Sequence, residues 1–111
     1  MKSGNTDNII GKISGLNALL NYQTGAVVSR AIITKPAGTV TIFAFDKGQG
    51  LSEHTAPFDA LVYILDGTVR ITISDRPFRL GKGQMIILPA NKTHALKSIT
   101  RFKMLLVMIK A

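Results

Sequence analysis

Short apolar runs alternate with turn-forming residues along most of this chain. AVVSRAIIT (26–34) is rich in β-branched residues, and PAG (36–38) breaks it. TVTIFAF (39–45) follows, with Val40, Ile42 and Ala44 on one face and Thr41, Phe43 and Phe45 on the other. LSEHTA (51–56) is a short run ended by Pro57, and ALVYIL (60–65) is apolar on both faces. TVRITIS (68–74) alternates cleanly, with Val69, Ile71 and Ile73 inward. FRL (78–80), QMIIL (84–88), THALK (93–97) and FKMLLVMIK (102–110) complete the series, separated by GKG and PANK. Short strands with a turn signal every few residues predict an all-β barrel or sandwich.

Two details sharpen the expectation. Asp66-Gly67 reads as a two-residue hairpin joining 60–65 to 68–74, a turn that needs positive φ at both central residues. Strands 39–45 and 60–65, apolar on both faces, need cover on both sides, from a partner subunit or from the N-terminal segment. In that segment Ile9, Ile13, Leu16 and Leu20 have helical spacing, weakened by Gly11 and Gly15, so one helical turn is expected near 16–20. The domain organisation that follows is a flexible N-terminal arm, 1–25, and one barrel, 26–111.

Charge and composition narrow the function. The net charge is +8, yet 1–67 is neutral and the whole excess lies in 68–111, where Asp75 is the lone acid. Such asymmetry suits an anionic ligand or a solvated basic surface. Nucleic acid is disfavoured as a partner: tryptophan is absent, the aromatics do not interleave with Lys and Arg in a stacking pattern, and no recognition helix is in view. The absence of cysteine excludes disulfides and thiolate chemistry and fits a cytoplasmic protein. MKSGNTDN does not lead into a signal-peptide core, and MLLVMI is too short to span a bilayer, so no membrane role is expected.

The chemistry rests on the chain's two histidines, His54 and His94. Strict alternation puts His54 on a face with Ser52 and Ala56, and Glu53 on the opposite face. In a closed barrel the two imidazoles can meet. They do not by themselves complete a zinc site, which takes three or four protein ligands, or a ferrous facial triad. Each is equally readable as a hydrogen-bonded histidine in a polar cavity. No Ser-His-Asp set and no phosphate-cradling loop can be assembled. Asp59, after Pro57-Phe58, reads as a turn residue rather than a base. Met85, Met104 and Met108 read as core fillers, the last two facing the barrel with Phe102 and Leu106.

The glycine, proline and histidine frame resembles that of small single-domain cupins. Gly48 is followed after five residues by His54, and Gly67 closes the first motif. In the second, Gly83, Pro89 and His94 keep their spacing. The departures concern the ligands. Ala56 stands where that family has a second histidine, and Ala60 where it has a glutamate; Asn91 replaces a glycine, and Ser98 an asparagine. SEHTAPFDA and RFKMLL also resemble segments of a group of small bacterial cupins. The resemblance implies a jelly-roll-like β-barrel with a small-molecule cavity, often homodimeric. Of its metal set, three histidines and a glutamate, only His54 and His94 carry over.

The expectation is therefore a cupin barrel that binds a small organic ligand through His54 and His94, with the basic second half favouring an anionic one. The rival is a metal-dependent isomerase or dioxygenase of a small organic acid. There the two histidines hold a divalent ion (Zn, Ni, Fe or Mn) weakly, and Ser52, Gln49, Gln84 or the substrate complete its shell. A third reading is a non-catalytic regulatory dimer. Catalytic residues are not identified.

Overall fold

Among the described residues the chain forms nine strands, several rich in β-branched and aromatic residues that favour an extended backbone. In a computed structural model, which describes residues 9–110, they are β1 (Val27–Lys35), β2 (Gly38–Phe45), β3 (Gly50–His54), β4 (Ala60–Asp66) and β5 (Thr68–Ile73). β6 (Arg76–Gly81), β7 (Met85–Leu88), β8 (His94–Ser98) and β9 (Phe102–Ile109) follow. Two sheets face each other, a five-stranded one ordered β1-β2-β9-β4-β7 and a four-stranded one ordered β3-β8-β5-β6. The fold is all-β and jelly-roll-like, as the turn pattern predicts.

The main core lies between the sheets. Phe45, Val62, Ile64, Val69, Ile71, Phe102 and Met104 are sealed there, with Phe45 and Phe102 stacked at 4.5 Å between ring centroids. A second apolar cluster lies on the outer face of the five-stranded sheet. It joins Ile42, Ala44 and Leu65 to Leu20 of the N-terminal segment, with Tyr22 and Tyr63 packed alongside. The two-sided hydrophobicity of β2 and β4 thus has part of its physical account: one face meets the barrel core, and the Ile42, Ala44 and Leu65 end of the other meets the N-terminal segment.

That segment carries a single 3-10 turn, Leu16–Leu19, where one helical turn is expected. Polar contacts fix its course. Tyr22 donates to Asp66 Oδ2 at 2.5 Å, Lys103 Nζ donates to the Asn17 carbonyl at 2.6 Å, and Arg30 donates to the Leu19 carbonyl at 3.3 Å. The Arg101 guanidinium lies 4.5 Å from the Tyr22 ring centre. Burial, and then the Asp66 carboxylate that accepts its hydrogen bond, push the Tyr22 hydroxyl far above its usual pKa.

The hairpin expected at Asp66-Gly67 is not one. β4 and β5 belong to different sheets, so the chain crosses the barrel there. Gly67 alone of the pair takes positive φ, +76°, and a Cβ on it would collide with the Arg101 carbonyl and Phe102. The two-residue turn with positive φ at both positions lies instead at Ser74 (46°) and Asp75 (69°), joining β5 to β6. Met85 also departs from expectation: it lies on the outer face of β7, 47% exposed, because the inward positions there are Ile86 and Leu88.

A candidate ligand cavity with paired imidazoles

The site is built from three places where the chain alters its regular course. The first is in β3. Leu51 pairs with Leu96 and His54 with His94, and the register shifts between them. This bulge lets Leu51 and His54 both face the barrel although they are an odd number of residues apart. Strict alternation through Ser52, His54 and Ala56 fails at that point. Glu53 remains exposed and contributes nothing to the cavity wall.

The second is the loop between β7 and β8. Asn91 adopts φ of 64°, the left-handed conformation that suits the glycine it replaces and that asparagine tolerates better than most residues. Its amide donates to the Ala56 carbonyl at 2.7 Å. Asp59 Oδ1 accepts the Ala90 amide at 2.8 Å, which gives Asp59 its structural role. Together these bonds hold the 56–59 loop against the 90–91 loop at the barrel end where the histidines sit. The third is the pairing of β3 with β8, which places His54 directly across from His94.

The two rings lie edge to face, 4.2 Å between centroids at 76°. They share a cavity of about 110 Å³ lined by Leu51, Ala56, Ala60, Val62, Leu88, Leu96, Met104, Leu106 and Met108. The wall is apolar except for the imidazoles, and Met104 and Met108 face the barrel as expected. His94 is buried, whereas His54 is exposed and stands at the rim. His54 Nδ1 donates to the Ser52 carbonyl at 2.7 Å, which places a proton on Nδ1. His94 Nδ1 is buried without a hydrogen-bond partner. Burial first, and His54 second, hold the His94 pKa below the usual 6.5; the nearby Lys92 backbone opposes this but does not prevail. At neutral pH the inner imidazole is therefore uncharged.

The donor set does not fit a resident metal. Ala56 and Ala60 line the cavity beside the histidines, so the two departures from the cupin ligand pattern fall in the cavity wall itself. Among the described residues no group of three or more His, Asp or Glu side chains converges. Two neutral imidazoles supply half of a tetrahedral shell and no negative charge. The candidate helpers are elsewhere: Gln84 Oε1 accepts the Gly81 amide at 2.8 Å, and Gln49 and Ser52 are not part of the cavity wall.

The comparisons agree with this architecture. The family model of the cupin domain matches residues 41–110, and the chain belongs to that family. It is similar to a conserved Streptococcus pyogenes protein of unknown function, at 34% identity over 100% of this chain and 96% of that one, with a TM-score of 0.90. A cupin 2 conserved barrel domain protein from Leptotrichia buccalis is 41% identical over 85% of this chain, with a TM-score of 0.82; the match spans 46% of that protein. A cupin superfamily protein from Desulfitobacterium hafniense is 29% identical over 91% of this chain and 93% of that one, with a TM-score of 0.86. No curated protein matches the sequence. No helix among the described residues is long and apolar enough to cross a membrane.

Proposed function

We propose that this cupin binds a compact, largely apolar small molecule whose single polar group meets His54 and His94. The observation that carries the reading is the pair of edge-to-face imidazoles at the end of an otherwise apolar cavity. Pockets of this kind draw affinity from their apolar walls and orientation from a few polar atoms. The volume sets the scale: a dry cavity of roughly 150 Å³ accommodates benzene, so about 110 Å³ suits a ligand of four to six non-hydrogen atoms.

The charge of that polar group follows from the wall. No lysine or arginine lines the cavity. Part of the basic excess lies on the outside of the four-stranded sheet, where Lys97, Arg70 and Arg79 pair across neighbouring strands. With His94 neutral, a hydroxyl or protonated acid is favoured near pH 7. A carboxylate is accommodated once the inner imidazole, His94, gains a proton. The setting proposed is the cytoplasm, which a cysteine-free chain suits.

Calorimetric titration of metal-stripped protein with n-butanol and with butyrate tests this. Both should bind, butyrate gaining on butanol as the pH falls below 6.5, and His54→Ala and His94→Ala should each abolish binding while the fold survives. Heat signals unchanged in both variants would reject the site. Metal analysis tests the rival metal-dependent enzyme: about one equivalent retained through purification without an affinity tag would favour it.

A further inference from the structure

The cavity makes no use of the basic excess in the second half of the chain, since no lysine or arginine lines it. Strand register gathers three of those cations on the outer face of the four-stranded sheet. Arg70 on β5 stands opposite Arg79 of β6 on one side and Lys97 of β8 on the other. All three are exposed, while their chain neighbours Val69, Ile71, Leu80 and Leu96 are buried in the core on the inner face. The result is one strip of positive charge, about 10 Å from end to end at a strand spacing of about 4.8 Å.

Folding alone does not account for this strip. Like charges directly opposite one another across a sheet are destabilising. Among the described residues no carboxylate on the face relieves them: Thr68 and Thr72 flank Arg70, Pro77 and Gly81 flank Arg79, and Ala95 lies beside Lys97. Lys97 Nζ donates to the Gly48 carbonyl at 3.0 Å rather than to an acid. Asp46, in the loop before β3, accepts the Gly25 amide at 2.7 Å. Charge on a sheet edge guards against stray pairing, which explains Arg79 on the edge strand β6 but not Arg70 or Lys97 on the interior strands β5 and β8. Lys47 and Lys82, both exposed, lie in loops at the same end of the sheet. The histidine end differs, for Glu53, Asp75, Arg76 and Lys92 mix both signs there.

The chemistry of the face selects its partner. Among the described residues, none of the exposed large apolar side chains lies on this sheet, so the face has nothing to insert into a bilayer and no ring on which a base would stack. A nucleic acid draws its affinity from many phosphate contacts, more than a strip of three cations offers. A few residues of extended peptide match the strip better: alternate side chains recur about every 6.8 Å on one face, and adjacent guanidinium groups each grip a carboxylate by two hydrogen bonds. We propose that this strip docks a short acidic segment of a partner protein, its carboxylates set against Arg79, Arg70 and Lys97. The strip lies on the opposite side of β5 and β8 from the core, so the proposal stands or falls separately from the reading of the cavity.

Fluorescence anisotropy of fluorescein-labelled octaglutamate, titrated with the full chain, tests this. At about 20 mM salt the wild type should bind with a dissociation constant of about 100 µM or below, and at about 200 mM salt at least about tenfold more weakly. Arg70→Glu sets a carboxylate between two cations. It should abolish binding and yet unfold at a higher urea concentration than the wild type, because two repulsive pairs become attractive. Lys35→Glu, an exposed charge change on the other sheet, should leave binding unchanged. Equal losses in Arg70→Glu and Lys35→Glu would reduce the effect to net charge and overturn the proposal. So would a wild type that ignores octaglutamate at about 1 mM. Binding at least about tenfold tighter to phosphatidylserine vesicles or to oligothymidylate would overturn it as well, assigning the strip to a lipid surface or a nucleic acid. Should Arg70→Glu fail to fold, Arg79→Gln on the edge strand decides: an unchanged dissociation constant rejects the strip.

Discussion

At the scale of single residues, the chemistry turns on what alanine leaves behind. Ala56 and Ala60 place methyl groups beside two imidazoles, in the cavity wall. Restoring the donors should restore a site: Ala56→His/Ala60→Glu should take up about one equivalent of zinc after dialysis, where the wild type retains less than about a tenth. Equal metal content in the two proteins would count against this account of the wall. His94 makes a second prediction. Its pKa lies below 6.5 in the folded state, so the unfolded chain takes up a proton first as the pH drops. The stability His94 lends is whole above pH 6.5 and is lost as the pH falls from there through the folded-state pKa. Urea denaturation at several pH values should show that slope, and His94→Gln should flatten it. The histidines themselves were legible as a pair from the sequence. The bulge that turns His54 inward was not, because its signal is a strand pairing and not a residue type.

At the scale of elements, the strand ends matter more than the strands. Most strands were visible as short runs of apolar residues between turn signals, with β-branched residues concentrated in β1, β2 and β5, whereas β3, β6 and β8 contain none. Connections were harder to read. Asp66-Gly67 has hairpin chemistry but carries the chain between sheets, and Ser74-Asp75, with no glycine, makes the true hairpin turn. Local turn preference was overridden by the packing of Gly67 against the Arg101-Phe102 backbone. Gly67→Ala should therefore cost at least about 2 kcal/mol in urea denaturation, combining left-handed strain with a steric clash. The N-terminal segment is held by one hydroxyl at least: Tyr22→Phe removes the bond to Asp66 and should cost about 1–2 kcal/mol. Loss of less than a few tenths would mean that Leu20 and the ring, not the hydroxyl, fix its course.

At the scale of the whole molecule, the chain divides its apolar surface three ways: a core between two sheets, a covered outer patch, and a cavity at one barrel end. The proposed function rests on the cavity, where apolar walls meet two facing imidazoles. The most direct test is the imidazole ¹⁵N spectrum of metal-free protein, recorded with and without n-butanol. The account predicts that the resonances of His54 and His94 shift together and saturate with the added alcohol. Two unmoved resonances, or shifts that begin only once a divalent metal is supplied, would contradict it.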